Sequence, residues 1–402
     1  MQISLTGFLN QKMDSSSLFN RNFLLVAAGN FFLFLSFYAL MPLLPFYLTG
    51  EFSADGTVIG LVLSCYMVSC IGIRPLCGYL LDTVNRRPVY VLAYLAFAAI
   101  FSAYALCATL WMFIVLRVLH GASFGCATVS GGSLVTQVIP RDRLGEGIGY
   151  YGLANTISMC IGPLLGLYAY NHFSFTAIFL GLTVVAVAGT GMAAMVEIPA
   201  RRNKVVRKIT LDSIFIKTGF SFSVIQILAY VSYGATTTYI AVFADQNLVG
   251  DFGGWYFTCM AVGLALSRPF AGKKVDRGGI AMLVILGLLI ATAASCTLFS
   301  LHLMPQSMRP EIFLVTAFAQ GIGYGVLHPS FNTIFVRLTD EEHRGAATSM
   351  FFTSNDIGIG VGVLTGGIAV QYFGGYYSIF GIGAVLSIVS LIMFMCKYKE
   401  VN

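Results

Sequence analysis

An all-α membrane protein with twelve transmembrane helices in two pseudo-symmetric six-helix bundles is what this sequence predicts, and three observations predict it. Of 402 residues, 57% are hydrophobic and 10% charged, and the mean hydropathy is +0.82. A soluble domain carries roughly 25% charged residues, so bilayer is the solvent that fits this chain. Apolar stretches long enough to cross a bilayer as helices recur along the whole sequence. The third observation is a repeat: Arg74-Pro75-x-x-Gly78-x-x-x-Asp82 returns as Arg268-Pro269-x-x-Gly272-x-x-x-Asp276 at an offset of 194. His120-Gly121 matches Gln320-Gly321, Asn155 matches Asn355, and Gly162-x-x-x-Gly166 matches Gly362-x-x-x-Gly366, all at an offset of 200. The change of offset places about six extra residues in the hairpin around His302 to Pro310.

The spans fall near 23–49, 57–81, 88–108, 110–138, 145–170, 173–196, 218–244, 253–272, 279–301, 311–336, 345–370 and 375–396. No cleavable signal peptide is expected, because the first apolar run is long and follows the polar segment Gln11 to Asn22. Alternate hairpins and the termini hold 19 of the 23 basic residues. By the positive-inside rule both termini are cytoplasmic, in the cell (inner) membrane. The basic clusters are then topology signals and headgroup contacts, making membrane lipid a partner and nucleic acid none.

Residues 1–200 are expected to form the first bundle, 201–217 a cytoplasmic linker and 218–402 the second bundle. Within the linker, Ile209, Leu211, Ile214, Phe215 and Ile216 among basic residues fit either a short interfacial helix or a plain tether. The nine cysteines are scattered, several of them in apolar runs, such as Cys65, Cys70, Cys126 and Cys160. Without metal-type spacing they are packing residues, and no metal or disulfide framework is expected.

Helices that pack tightly and part on demand need small residues at crossings and charged latches at their ends. Gly78 admits a neighbouring helix, Asp82 shares its face four residues on, and Arg86 with Arg87 reach carboxylates or helix ends. Asn85 suits a left-handed turn. Gly272, Lys273, Asp276 and Arg277 form the second copy of this gate. Arg74 and Arg268, each before a proline, are expected to snorkel or latch toward the cytoplasmic surface. In the fifth span Gly149, Gly152, Gly162, Pro163 and Gly166 make a hinge, the proline removing a backbone donor where the glycines admit a partner helix.

Ionisable groups in apolar spans are costly and mark function. Asp356 lies about eleven residues into its span, near midplane at ~1.5 Å per residue. Three roles fit it: a proton or cationic-substrate site, a partner for Arg117, or a structural hydrogen-bonding group. Its first-half counterpart is Thr156. Arg117 and His120 share a face at i,i+3. Arg117 serves proton relay, an anionic group or the packing of its neighbours, and His120 and His328 are relay, cavity-lining or packing groups. Asn30, Gln226, Asn155, Asn355 and Gln320 add neutral hydrogen-bonding groups. Phe34, Tyr38, Tyr230, Tyr233, Tyr239 and Phe243 give the first and seventh helices an aromatic character suited to an amphipathic solute.

Over nearly its whole length the chain resembles the major facilitator superfamily. Gly78, Leu80, Asp82, Arg86 and Arg87 match the family's motif between helices two and three, with Thr83 and Asn85 replacing its usual basic residue and glycine. Arg117 and Gly121 match the fourth-helix motif, His120 standing where glutamine is common. Gly149, Gly162, Pro163 and Gly166 match the fifth-helix motif of antiporters, although Ser158 and Leu167 replace two glycines. Within the superfamily the sequence looks like the twelve-helix drug:proton antiporter group. The resemblance implies gating by Asp82 and Arg86, a structural or relay role for Arg117, and a hinge at Gly162-Pro163. The central parts of the first and seventh helices lack carboxylates, Asp245 lying at the outer end, which leaves Asp356 as the proton-site candidate.

The expected function is secondary active transport by alternating access: proton-coupled efflux of a small organic or amphipathic solute. A proton gradient drives it without a cofactor, and a monomer suffices. The alternative is proton-coupled uptake of a small metabolite. No serine-base, cysteine-base, metal or phosphate-loop constellation stands out, so an enzyme is not expected.

Overall fold

The computed structural model describes residues 18–54, 56–197, 217–246, 252–340, 343–373 and 375–398. Twelve long helices run in order: α1 (Arg21–Leu40), α2 (Gly56–Thr83), α3 (Arg86–Tyr104), α4 (Leu110–Val138), α5 (Leu144–His172), α6 (Phe175–Ala194), α7 (Phe220–Gln246), α8 (Phe252–Asp276), α9 (Ile280–Phe299), α10 (Arg309–Arg337), α11 (Arg344–Tyr372) and α12 (Tyr376–Lys397). A single turn and a short helix, Leu44–Phe52, prolong α1. Among the described residues, nine helical stretches are long and apolar enough to cross a membrane. The expected insertion before α10 appears as two 3-10 turns, Leu301–Leu303 and Gln306–Met308. The linker, residues 201–217, lies outside the described residues except for the start of the turn Lys217–Gly219.

Local chemistry sets the helix ends. Asn20, Thr109 and Ser174 each accept a hydrogen bond from the amide three residues on, at 2.9, 3.3 and 3.4 Å, which caps α1, α4 and α6. After α8 the chain turns through Gly278 at φ +82°, and the amides of Gly278 and Gly279 return to the carbonyls of Val275 and Lys274. Asn85 was expected in a left-handed turn. It is instead extended, at φ −64° and ψ 128°, and serves as the residue before α3. Within the helices, hydroxyls return their proton to a carbonyl one turn back, as Thr292 does to Leu288 and Ser330 to Val326 at 2.8 Å. This satisfies a polar group where lipid offers no partner.

The chain forms two compact units. One comprises Met1–Gly147, Ile157–Ile214 and Glu341–Ser349; the other comprises Ile148–Thr156, Phe215–Asp340 and Met350–Asn402. In the first unit α4 packs on α2 and α3, and α6 on α3 and α1; in the second, α10 packs on α8 and α9, and α12 on α9 and α7. The same helix pairs recur in the two copies, which is the architectural counterpart of the sequence repeat. Small residues make these crossings close. A Cβ on Gly121 would strike the Tyr66 carbonyl, and one on Gly321 would strike the Met260 carbonyl.

Candidate functional site

In the first unit the close approach of α4 to α2 and α3 buries a polar cluster. Arg117 is 1% exposed, and its guanidinium carbon lies 4.2 Å above the centre of the Tyr66 ring. One turn on, His120 is equally buried, and its Nδ1 is 2.9 Å from the Tyr104 hydroxyl. The Tyr104 hydroxyl also lies beside the Arg117 cation. An oxygen facing a cation turns its lone pairs there and gives its proton away, here to Nδ1, which leaves Nε2 of His120 as the protonated nitrogen. Phe97 and Phe101 pack on His120 at ring separations of 4.5 and 4.7 Å, and Phe37 stacks on Tyr66 at 5.6 Å.

Four polar atoms of this cluster have no hydrogen-bond partner among the described residues: Arg117 Nε and Nη2, His120 Nε2 and the Tyr66 hydroxyl. Burying an ion costs several kcal/mol, whereas a desolvated cation–π contact contributes about 2 kcal/mol. Tyr66 alone therefore does not offset the burial of Arg117.

The equivalent crossing in the second unit is neutral. Ala317 stands at the position of Arg117, Met260 at that of Tyr66 and Gln320 at that of His120. Gln320 is fully buried; its Oε1 accepts from the Tyr256 hydroxyl at 2.6 Å and its Nε2 donates to Thr236 at 3.3 Å. Both ends of the amide are satisfied.

At the α2–α3 end of the first unit, Asp82 accepts hydrogen bonds from the amides of Gly345 and Ala346, at 2.9 and 3.0 Å, in the first turn of α11. A carboxylate there meets unpaired N–H groups and the positive end of the helix dipole. Arg86 adds an ion pair to Asp82 at 3.5 Å and donates to the Leu81 carbonyl. Arg87 reaches a helix end, the Ala194 carbonyl of α6. Gly78 and Gly345 let the backbones meet, since a Cβ on Gly78 would lie 2.6 Å from that of Ser349.

Arg74 and Arg268 do not snorkel; they are 3% and 7% exposed. In the second unit Arg268 donates to the Gly152 carbonyl and to the Thr156 hydroxyl, the latter at 2.7 Å. Gly149 and Gly152 clear space for it, because a Cβ on either would press on Arg268. The sequence placed the second gate at Gly272, Lys273, Asp276 and Arg277. Gly272 is buried, Asp276 is half-buried, and Lys273 and Arg277 are exposed. Arg268 is the residue whose role sequence reasoning missed, and the small residues facing it on α5 were the available signal. Farther along α5, in the first unit, Gly162 and Gly166 seat Tyr38 and Ala39 of α1, and the helix continues through Pro163.

Asp356 is 9% exposed on α11 and accepts from Asn355 Nδ2 at 3.4 Å. Gln226 on α7 donates to the Phe351 carbonyl at 3.3 Å, and the His328 ring meets the Phe351 ring edge-on at 5.0 Å. Gln226 Oε1, Asn332 Oδ1 and Asn355 Oδ1, without a hydrogen-bond partner among the described residues, leave this interior of the second unit polar. Asn30 of α1 is buried at 3%. The side chain of Asp245 lies outside the described residues. Among those described, no His/Cys/Asp/Glu group is arranged to hold a metal ion, and the nine cysteines are free thiols.

The sequence is 25% identical to the multi-drug resistance efflux pump PmrA homolog of Lactococcus lactis over 377 residues, 89% of each chain. It is 24% identical to the staphylopine export protein of Staphylococcus aureus over 363 residues, 86% of this chain and 89% of that one. The fold superposes on the human organic anion transporter MFSD10 with a TM-score of 0.80 at 15% identity, covering 93% of this chain and 99% of that one. The Major Facilitator Superfamily model matches residues 26–222 and again 222–401, one match to each copy of the repeat. The chain is an integral membrane transporter and belongs to the Major Facilitator Superfamily.

Proposed function

We propose that the protein exports a small amphipathic organic solute from the cytoplasm in exchange for protons, as a monomer in the cell membrane with both termini inside. Asp356 carries this reading: a carboxylate 9% exposed, well inside a transmembrane helix, with an amide neighbour. A carboxylate at that depth is a position for which a proton and the solute can compete, and this competition would couple their movements. The relatives named as an efflux pump and an export protein support the outward direction. The Gly162-Pro163-x-x-Gly166 segment packed on α1 supports antiport, since it supplies a hinge within a close crossing.

The test is transport by the purified protein in liposomes under an imposed pH gradient, with lumenal pH recorded. Solute and protons are expected to move in opposite directions, and Asp356→Asn is expected to abolish gradient-driven accumulation while preserving solute exchange. Movement of both in the same direction would make the protein a symporter. Unchanged coupling in Asp356→Asn would remove Asp356 from the mechanism.

A further inference from the structure

We infer that Arg117, His120 and Tyr66 form a receptor for an oxyanion, and that the transported solute is accordingly an amphipathic organic anion with a carboxylate-type headgroup. This rests on the reading of the chain as a solute exporter and specifies its substrate class. Nε and Nη2, the two guanidinium nitrogens left without partners among the described residues, carry parallel N–H bonds on one edge of the group. That edge matches the two oxygens of a carboxylate or sulfonate. His120 Nε2 and the Tyr66 hydroxyl add two further polar atoms without partners in the same cluster. With the Tyr104 oxygen turned to Arg117 and its O–H donating to Nδ1, the tautomer assigned to His120 carries its proton on Nε2, and every unused group in the cluster is then able to donate.

Among the described residues no carboxylate forms an ion pair with Arg117. The requirement for a negative partner is local to this copy of the repeat, because the equivalent crossing around Gln320 is neutral and satisfied. Burial also selects the kind of anion. A group that reaches a guanidinium 1% exposed must shed its water, which disfavours strongly hydrated inorganic ions and favours an oxyanion on an apolar body. The rings of Phe37, Phe97, Phe101 and Tyr66 around the cluster suit such a body.

The full-length protein in detergent micelles is titrated calorimetrically with 2-naphthoate and with its neutral analogue 2-naphthamide, in gluconate and in chloride buffers. Naphthoate is expected to bind at least about tenfold more tightly than naphthamide, with Arg117→Gln losing that preference. Tyr66→Phe keeps the ring beneath the cation and removes only the hydroxyl, so it tests the site even if Arg117→Gln does not fold; it is expected to weaken naphthoate severalfold. Equal binding of the two probes, wild-type naphthoate affinity in folded Arg117→Gln, or no effect of Tyr66→Phe overturns the assignment. Chloride displacing naphthoate in the wild type but not in Arg117→Gln would make the ligand a free inorganic anion and overturn the solute class. The outcome is separable from the exporter reading: naphthoate binding without proton exchange defeats only the coupling, and proton-coupled export of a neutral or cationic solute defeats only the receptor.

Discussion

Gly121 of α4 lies on the Tyr66 carbonyl of α2 as Gly321 of α10 lies on the Met260 carbonyl of α8, and Gly125 and Gly325 repeat the arrangement one turn later. One turn earlier the two copies differ. The first places a cation above an aromatic ring, with polar atoms to spare, whereas the second places an alanine there and closes its glutamine between Tyr256 and Thr236. Close packing in a bilayer depends on the backbone and is insensitive to what the next side chain does, so a duplicated fold keeps its crossings while one copy acquires chemistry.

The comparison breaks most visibly at the shared crossings. Gly121→Leu and Gly321→Leu each drive a side chain into backbone, and each is expected to cost about 3 kcal/mol, seen as a lower melting temperature in detergent. A loss confined to one of them would mean that the crossings are not equivalent. The neighbouring side chains are expected to respond with opposite signs. Gln320→Leu strands the Tyr256 hydroxyl and destabilises by about 1–3 kcal/mol. Arg117→Leu removes a buried charge and is expected to stabilise the solute-free protein by about 1–3 kcal/mol. If both variants melt earlier than the wild type, Arg117 is compensated and the contrast disappears.

Smaller effects sharpen the picture. Asp82→Ala releases the first turn of α11 at a cost of about 2 kcal/mol, and amide exchange at Gly345 and Ala346 is expected to accelerate while that of the α11 core does not. Tyr104→Phe removes the bond to His120 together with the oxygen facing Arg117 and is expected to cost about 1–2 kcal/mol. Melting of that variant at or above the wild-type temperature would show that His120 finds another partner.

Periodic, local features were legible in the sequence. Apolar runs located the helices, the offset of 200 paired Gly121 with Gly321, and the i,i+3 spacing put Arg117 and His120 on one face. What the sequence concealed depends on partners from distant helices. Tyr66 and Tyr104 reach the cluster from α2 and α3, and no local pattern announces them. Asp82 was recognisable as a latch, but the groups that donate to it across the crossing are the backbone amides of Gly345 and Ala346, which carry no side-chain signature. Arg268 looked like a helix-end residue because its position relative to Pro269 was visible and its hydrogen bonds to α5 were not.

Near the start of α1, the Asn22 side chain makes two hydrogen bonds to the Glu197 backbone: Asn22 Nδ2 donates to the Glu197 carbonyl at 2.7 Å, and the Glu197 N–H donates to Asn22 Oδ1 at 3.0 Å. Arg21 adds an exposed ion pair to the Glu197 carboxylate at 3.1 Å. The chain beyond α6 therefore departs from a point clamped to the first helix, and tension applied along it is delivered to α1 before it can unwind α6.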